Sequence, residues 1–230
     1  MNPQGLPPFP GGVGLSGLQV YDWPTADGLC GGSPHVHLTC SEAYVVIGGA
    51  GQVQTLTYDG FAETALEPGA VVWFTPGTIH RLINGDGSLR IVVIMQNSGL
   101  PEAGDAVFTF PPAVLADPPA YERAAADDPR RRRDLAIEGF LELRRRTETG
   151  DREALDDFFR AGVARKAGRL DEWEERWRTG ALVAAARTGD QLKRLRDGDW
   201  SHLREAGVHR LSRPEETTYG MCGYLDTYRL

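Results

Sequence analysis

The sequence contains few cysteines and no long apolar segment. Its three cysteines, Cys30, Cys40 and Cys222, have no regular spacing, which excludes a disulfide-stabilised scaffold and is typical of a reducing compartment. Because no run of about 18 or more apolar residues occurs, we expect no membrane span. The N-terminal segment has neither a basic start nor a compact apolar stretch, so it does not resemble a secretory signal. These features together predict a cytoplasmic protein.

Basic residues are scarce in the first half of the chain. Through Leu115, nine acidic residues accompany only Arg81 and Arg90, which gives a formal charge of −7, and the remaining 23 acidic and 23 basic residues cancel. Neither half is basic enough to indicate a nucleic-acid partner. The contrast predicts two architectures, and we divide the chain into an N-terminal arm (1–17), a β-rich region (18–115), a helical region (116–212) and a C-terminal tail (213–230).

Histidine is also rare, yet three of the five histidines fall in two short segments. His35 and His37 are two positions apart on a predicted strand, so their side chains point to the same side. Glu42 follows after four residues, and His80 comes shortly after a Pro-Gly turn. Three imidazoles and one carboxylate suit Fe, Mn, Ni, Co, Cu or Zn and leave open positions for a substrate. The pattern predicts one divalent first-row metal ion per chain.

Short apolar segments separated by Gly and Pro turns fill the region around these residues. Many short strands at this spacing predict an all-β barrel or jelly roll. Strand alternation places Tyr44 on the face of Glu42 and Leu82 on the face of His80, so both are predicted to line a small-molecule pocket. Trp73 is assigned to the same pocket, although its strand is compatible with either direction. Arg81 points away from the cavity and is predicted to lie at the surface or in an interface.

The first histidine segment resembles the first cupin motif. That motif is a His-x-His pair followed by three or four residues, a Glu, six residues and a Gly. Here it is matched by His35, His37, Glu42 and Gly49. The glycine expected five residues before the first histidine is replaced by Leu29, which alters the loop before the strand and leaves the ligand set complete.

The second histidine segment resembles the second cupin motif. That motif is Gly, five residues, Pro-x-Gly, two residues, His, three residues and Asn. Here it is matched by Gly69, the turn at 75–77, His80 and Asn84, with a threonine at the motif's proline position. The resemblance covers about residues 18–114 and does not extend to the rest of the chain.

The resemblance implies a fold and a set of functions. The expected fold is an all-β cupin barrel (jelly roll) in the N-terminal half, followed by a C-terminal α-helical region, and cupins commonly form homodimers. Characterised cupins with this ligand set include dioxygenases, isomerases, epimerases, lyases and oxalate-active enzymes. We expect a metal-dependent enzyme that acts on a small oxygenated metabolite, with dioxygenase chemistry first. An isomerase, epimerase or lyase acting on a sugar-like or carbonyl substrate is the alternative, and a non-catalytic small-molecule-binding cupin is the alternative from another class.

Two roles remain open within the predicted site. Glu42 is a candidate catalytic residue, because it either stays bound to the metal or leaves it to act as a base. Cys40 is an alternative ligand in place of the carboxylate. The spacing of Glu42 fits the motif better, so Cys40 is predicted to be a small buried hydrophobic residue.

The second half of the chain has the pattern of a helical region. The proline-rich segment 101–119 predicts a linker, and Asp128-Pro129 predicts the start of a helix. The arginine runs 130–133 and 144–146 are predicted to form a solvated helix face, with an anion-binding or nucleic-acid patch as the alternative. The tail either returns as a strand or covers the mouth of the barrel.

Overall fold

Two antiparallel β-sheets face each other in the computed structural model, which describes residues 6–229. The strands are β1 (Gly14–Val20), β2 (His35–His37), β3 (Glu42–Gly48), β4 (Gly51–Thr57), β5 (Gly60–Leu66), β6 (Val71–Phe74), β7 (Ile79–Asn84), β8 (Arg90–Met95), β9 (Ala106–Phe108), β10 (Thr218–Tyr219) and β11 (Gly223–Tyr228). Their order is β10-β11-β1-β8-β3-β6 in the six-stranded sheet and β5-β4-β7-β2-β9 in the five-stranded sheet. This arrangement confirms the predicted jelly-roll barrel.

The interior of the barrel is built by alternation along the strands. On β3, Tyr44 and Val46 are buried, whereas Ile47 points outward and is exposed. Leu82 on β7 and Ile91 on β8 join the same apolar cluster from the two sheets. Full burial of one such side chain contributes roughly 1.5–3 kcal/mol. This shared core therefore holds the two sheets together.

Six α-helices follow the barrel within the described residues. They are α1 (Pro112–Ala116), α2 (Pro118–Ala125), α3 (Pro129–Glu148), α4 (Ala154–Lys166), α5 (Leu170–Thr179) and α6 (Ala181–Arg196). Val36 and Ile79, on strands of the five-stranded sheet, share one buried cluster with Phe140 of α3 and Phe158 of α4. The helical region therefore covers the outer face of this sheet. The contact between them forms a second apolar core, so this face of the sheet is not exposed to solvent.

Helix α3 starts where the sequence predicts. The Asp128 side chain caps it by accepting hydrogen bonds from the backbone N–H groups of Arg130 at 3.0 Å and Arg131 at 3.4 Å. Further along, a Cβ added at Gly139 would lie 2.0 Å from the carbonyl oxygen of Thr109. Glycine is therefore required where α3 approaches the chain that leaves the barrel.

The proline-rich segment 101–119 is not a linker, and this prediction is wrong. It contains β9, which pairs with β2, as well as α1. Asp105, Phe108 and Phe110 within it are all buried. A three-residue strand is too short to give a periodic signal, and the prolines dominate the local composition. The segment therefore belongs to the five-stranded sheet.

The C-terminal tail forms a hairpin, named here the C-terminal hairpin (β10 and β11). β11 pairs antiparallel with β1 and places Leu225 opposite Leu18. The hydroxyl of Tyr21 donates a hydrogen bond to the carbonyl oxygen of Gly220 at 3.0 Å, which fixes the turn between the two strands. The tail thus returns as a strand of the six-stranded sheet.

The N-terminal arm is shorter than predicted, since β1 begins at Gly14. Residues 1–5 of the predicted arm and residue 230 of the predicted tail lie outside the described residues. Within residues 6–229, none of the helices combines the length and the hydropathy that crossing a membrane requires.

Candidate metal site

A buried group of three histidines and one glutamate lies between the two sheets, named here the His/Glu cluster (His35, His37, Glu42 and His80). β2 directs His35 and His37 to the same face, and His80 on β7 lies directly opposite His35 in the sheet register. Glu42 begins β3 in the other sheet. One donor atom from each residue lies within 4.8 Å of the other three. The structure therefore brings together all four residues that the sequence predicts as ligands.

Backbone carbonyl groups orient two of the imidazoles. Nδ1 of His35 lies 2.9 Å from the carbonyl oxygen of Ser33, and Nδ1 of His80 lies 3.0 Å from that of Thr78. Because a carbonyl oxygen only accepts hydrogen bonds, each Nδ1 carries the proton. Nε2 of each ring therefore faces the cluster, which is the usual arrangement of a metal-binding histidine.

Asp105 orients the third imidazole. Its Oδ1 lies 2.6 Å from Nδ1 of His37, and its Oδ2 accepts hydrogen bonds from the hydroxyl of Thr39 at 3.1 Å and the backbone N–H of Cys40 at 3.2 Å. Burial lowers the pKa of His37, but the hydrogen bond to Asp105 and the nearby charges of Glu42 and Asp105 outweigh it and raise this pKa. Asp105 thus provides the carboxylate partner that metal-binding histidines commonly have behind the ring.

Sequence analysis missed Asp105 because no motif spacing relates it to the histidines. It lies 68 residues from His37 in the chain, in the segment predicted as a linker. The one available signal was its position immediately before the apolar residues of β9. Cys40, the alternative ligand, is buried as predicted and stands outside the His/Glu cluster.

The cluster brings together atoms that carry lone pairs. Nε2 of His80 lies 3.1 Å from Nε2 of His35 and 3.1 Å from Oε2 of Glu42, and Nε2 of His37 lies 3.5 Å from the same oxygen. Among residues 6–229, Oε2 of Glu42 has no hydrogen-bond partner. Buried lone pairs facing one another are unfavourable unless a cation lies between them. Three nitrogens and one carboxylate oxygen fit a divalent first-row metal ion, so the donor set passes this test.

The charge state of the cluster also suits a metal. Burial and the neighbouring rings of His80 and His37 hold the pKa of His35 well below its ordinary value, so His35 is neutral. Burial raises the pKa of Glu42, but its contacts with His80 and His37 lower this pKa by more. The net effect is a pKa below the ordinary value. His35 therefore supplies a neutral nitrogen ligand and Glu42 an ionised carboxylate, which are the protonation states that metal binding needs, and a bound cation would displace the proton that the raised pKa of His37 favours.

The cluster opens into a cavity of about 500 Å³. His35, His37 and Glu42 line it, whereas His80 is fully buried behind them. Residues of the barrel, of α2 and α3, and of the C-terminal hairpin complete the wall, so the tail also covers the mouth of the barrel. A cavity of this size accommodates a small organic molecule.

The three predicted pocket residues take different positions. Tyr44 lines the cavity and is buried. Leu82 points into the barrel as predicted, but it packs in the apolar core and does not line the cavity. The assignment of Trp73 to the pocket is wrong, because its side chain is 71% exposed. On β6, an edge strand of the six-stranded sheet, Trp73 pairs with Ala43 and therefore points to the face opposite Glu42.

Arg81 points away from the cavity as predicted, but the prediction of a surface position is wrong. Its side chain is fully buried and forms an ion pair with Asp27. One guanidinium nitrogen also donates hydrogen bonds to Thr25 at 3.1 Å and Asp27 at 3.2 Å. The loop that precedes β2 folds over the outer face of the sheet and buries Arg81. A contact between residues so far apart in the chain cannot be predicted from strand alternation.

The first arginine run is not a uniform solvated helix face. Arg130 and Arg131 are exposed, whereas Arg132 is half-buried and Arg133 is buried. Arg133 donates hydrogen bonds of 3.1 Å to the carbonyl oxygens of Trp23 and of the following proline. The same helix therefore carries both solvated and inward-facing arginines, because its first turns contact the barrel and the C-terminal hairpin.

The two facing sheets form a jelly roll, and the buried His/Glu cluster is its candidate metal site. A family model described as "Cupin" matches residues 18–117, which include all four members of the cluster. Residues 18–117 therefore match the cupin family, as the two motifs indicate. No curated protein matches the chain at a significant level.

Solved structures with a related fold match parts of the chain. The capsular polysaccharide assembling protein CapF from Staphylococcus aureus is 17% identical, with a TM-score of 0.35, over 41% of this chain and 26% of that one. An uncharacterized conserved protein with a double-stranded beta-helix domain from Klebsiella pneumoniae is 18% identical, with a TM-score of 0.31, over 38% of this chain and 69% of that one. QdtA, a sugar 3,4-ketoisomerase from Thermoanaerobacterium thermosaccharolyticum solved with TDP, is 11% identical, with a TM-score of 0.33, over 40% of this chain and 64% of that one. The matched region spans about a quarter of the CapF chain and less than two thirds of the QdtA chain.

Proposed function

We propose that the protein is a metal-dependent enzyme that acts on a small oxygenated metabolite, with dioxygenase chemistry. His35, His37, Glu42 and His80 hold one divalent first-row metal ion. The observation that carries this proposal is the convergence of three oriented Nε2 lone pairs and an unpartnered carboxylate oxygen at the wall of a cavity. When bound, such an ion polarises an oxygen ligand of the substrate and supplies the redox chemistry that dioxygen requires.

The apolar character of the cavity supports an oxygenase. Leu18, Val93, Met95, Phe108 and Leu225 contribute to the wall. This apolar part of the wall favours the entry of dioxygen, which is itself apolar. The cavity is thus suited to a reaction in which the metal supplies most of the chemistry.

Few groups near the cluster are suited to act as a general base. Burial raises the pKa of the Tyr44 phenol well above its ordinary value and also raises the pKa of the Cys222 thiol. Both groups are protonated at neutral pH and do not accept a proton readily. Two carboxylates line the cavity: Glu42, which we assign first as a ligand, and Glu102, which accepts a hydrogen bond from the backbone N–H of Gly99. This distribution favours metal-centred oxidation over reactions that need a separate base.

An isomerase, epimerase or lyase is the second candidate, and one observation favours it. The hydroxyl of Tyr44 is buried, and its side chain lines the cavity beside Glu42. A protonated phenol and a nearby carboxylate form an acid and base pair that can move a proton on a carbonyl substrate. The substrate in either case is a small molecule that fits the cavity.

Parallel assays of oxygen uptake and isomer conversion test the proposal. The full-length protein is loaded separately with Fe, Mn, Ni, Co, Cu and Zn and is incubated with a panel of enolisable carbonyl compounds, hydroxy acids and sugars. We expect oxygen uptake that depends on both ion and substrate, is lost in His35→Ala and is retained in His209→Ala, which changes an exposed histidine.

Other outcomes of these assays favour the alternatives. Conversion without oxygen uptake would replace the dioxygenase assignment with the isomerase or lyase candidate, and Tyr44→Phe would then abolish turnover. Stoichiometric metal with no turnover on the whole panel would contradict an enzyme and favour a binding module.

A further inference from the structure

Arg132 brings a positive charge from the helical region to the metal cavity. It lies on α3, and its half-buried side chain lines the same cavity as His35, His37 and Glu42. The helical region lies outside the residues that match the cupin model. Arg132 is therefore a feature of this cavity that the cupin motifs do not contain.

The guanidinium of Arg132 is held in place without being neutralised. It donates hydrogen bonds to the carbonyl oxygens of Ala125 at 3.3 Å and Gly220 at 3.0 Å. Its Nε–H is buried and has no partner in the described part of the chain. It forms no ion pair with a described carboxylate, although the adjacent Arg131 and Arg133 each pair with an aspartate. Arg132 thus keeps both a free donor and a free charge.

The uncompensated positive charge of Arg132, in a partly buried position, favours the binding of an anion. The guanidinium remains ionised, and removing it from water without a counter-charge is unfavourable. A divalent ion held by three neutral imidazoles and one carboxylate also retains excess positive charge. The two positive centres border one cavity, so a ligand with negative charge is bound more strongly there than a neutral one.

Two other charged side chains border the cavity and differ from Arg132. The carboxylate of Glu102 accepts a hydrogen bond from the backbone N–H of Gly99 at 2.9 Å. Arg229 is exposed near the end of the chain. Neither combines burial with an unused donor, so Arg132 is the better-positioned cation.

We propose that Arg132 binds a carboxylate group of the substrate while a second oxygen function of the same molecule meets the metal. This inference rests on the proposed metal-dependent function and restricts the substrate to small metabolites that carry a carboxylate. The planar guanidinium matches the two oxygens of a carboxylate and fixes the orientation of the molecule. Arg132 is then a specificity-determining residue supplied by the helical region.

A purely structural role for Arg132 predicts a different result. Its bonds to Ala125 and Gly220 join the end of α2 to the turn of the C-terminal hairpin. If this tie were its whole role, its replacement would lower stability and weaken charged and neutral ligands alike. A selective loss of affinity for carboxylates separates the two roles.

Titration calorimetry with simple diacids tests the inference. The probes are malonate, succinate and glutarate, each compared with its monoamide, and the protein is the full chain loaded with Zn²⁺. A diacid can place one carboxylate on the metal and the other on Arg132. A monoamide has only one carboxylate, so it can satisfy only one of these two positions with a charged group. We expect at least one diacid to bind about 10- to 100-fold more tightly than its monoamide in the wild type.

Variants of Arg132 test whether this residue causes the preference for the diacid over its monoamide. Arg132→Gln keeps a hydrogen-bond donor and removes the charge, so the ratio should fall below about threefold. Arg132→Lys keeps the charge and should retain part of the preference, while Arg131→Gln, on the exposed side of the same helix, should leave it unchanged. The melting temperature and zinc content of each variant show whether it is folded and loaded.

Each outcome decides one point. An unchanged ratio in zinc-loaded Arg132→Gln would overturn the inference and leave the proposed function intact, as would the absence of any diacid preference in the zinc-loaded wild type. Failure of the wild type to hold any of the six metals would overturn the proposed function, and the inference with it.

Discussion

Two buried polar clusters lie on opposite faces of β7, and they differ in how their charges balance. His80 points into the barrel and belongs to the His/Glu cluster, whereas Arg81 points outward and pairs with Asp27. Both side chains are fully buried and they are adjacent in sequence. Their comparison shows what distinguishes a structural polar cluster from one that is built to bind a ligand.

The charges of the Arg81 cluster balance each other. The guanidinium meets the carboxylate of Asp27 and the hydroxyl of Thr25, so cation meets anion and donor meets acceptor. Only its Nε–H lacks a partner among the described residues. A buried pair of this kind needs no further component, and its role is to hold the loop before β2 against the sheet.

The His/Glu cluster does not satisfy itself. Its ring protons are used by Ser33, Thr78 and Asp105, which leaves only lone pairs facing the centre. A cation would balance these lone pairs, and the hydrogen bonds behind the rings orient the side chains that would hold it. Burial alone therefore does not identify a functional site, but an unbalanced set of acceptors does.

Removing Arg81 should have the largest effect on stability. In Arg81→Met, the Asp27 carboxylate loses its partner, and we expect the free energy of unfolding to fall by about 3–5 kcal/mol. Chemical denaturation measures this change. The metal content per folded chain should remain that of the wild type, since Arg81 is on the other face of the strand.

Arg131→Gln is the matched control, because it breaks an exposed pair with Asp127 and should cost less than about 1 kcal/mol. Equal losses in the two variants would contradict a structural role that depends on burial.

Removing the support behind His37 should have the next largest effect, this time on metal affinity. Asp105→Asn keeps the size of the side chain but removes the charge that orients the ring, and we expect metal affinity to fall about 10- to 100-fold. Competition with a chelator measures the change. Asp86→Asn, at an exposed turn, is the control, and a normal affinity in Asp105→Asn would show that ring orientation does not depend on this carboxylate.

The Asp27 pair should also make stability depend on pH. Burial raises the pKa of Asp27, but the hydrogen bonds and charge of Arg81 lower it from 3.8 to about 2. Because this pKa is depressed in the folded state, its contribution is fully present above about pH 4 and is lost as the pH falls towards 2.

After allowance for solvent screening, we expect wild type to exceed Asp27→Asn by about 1–2 kcal/mol at pH 6 and the difference to shrink towards zero near pH 2. Denaturation curves across this range measure it. A difference that stays constant with pH would contradict the assignment of the shift to this pair.

Trp73 should show the smallest effect. Its side chain lies on the outside of β6, so Trp73→Ser should change the free energy of unfolding by less than about 0.5 kcal/mol and leave metal content unchanged. Loss of metal in this variant would contradict the outward orientation and support the predicted position of Trp73 in the pocket. Light scattering of the wild type and of Trp73→Ser gives their oligomeric state. It tests the homodimer, which stays a prediction from the family resemblance.

The ligands could be predicted from sequence, but their surroundings could not. His35, His37 and Glu42 follow a local spacing on two strands that are consecutive in the chain, and His80 follows a fixed turn, so short-range patterns identify them. Asp105 reaches the site through pairing of β9 with β2, which no spacing encodes.

The two misjudged arginines depend on long-range packing. Arg81 is buried because the loop before β2 covers it, and Arg132 lines the cavity because the start of α3 packs beside the C-terminal hairpin. Alternation along a strand gives the direction of a side chain but not what lies in that direction. Trp73 shows the converse, since its direction required the register of β6 against β3.

Elemental analysis of the full-length protein, after reconstitution with each of the six metals, tests the metal site most directly. We predict one ion per chain in the wild type and in His209→Ala, and less than about a tenth of that occupancy in His35→Ala and His80→Ala. Full occupancy in both cluster variants, or an empty wild type with every metal, would contradict the assignment of the His/Glu cluster as a metal site.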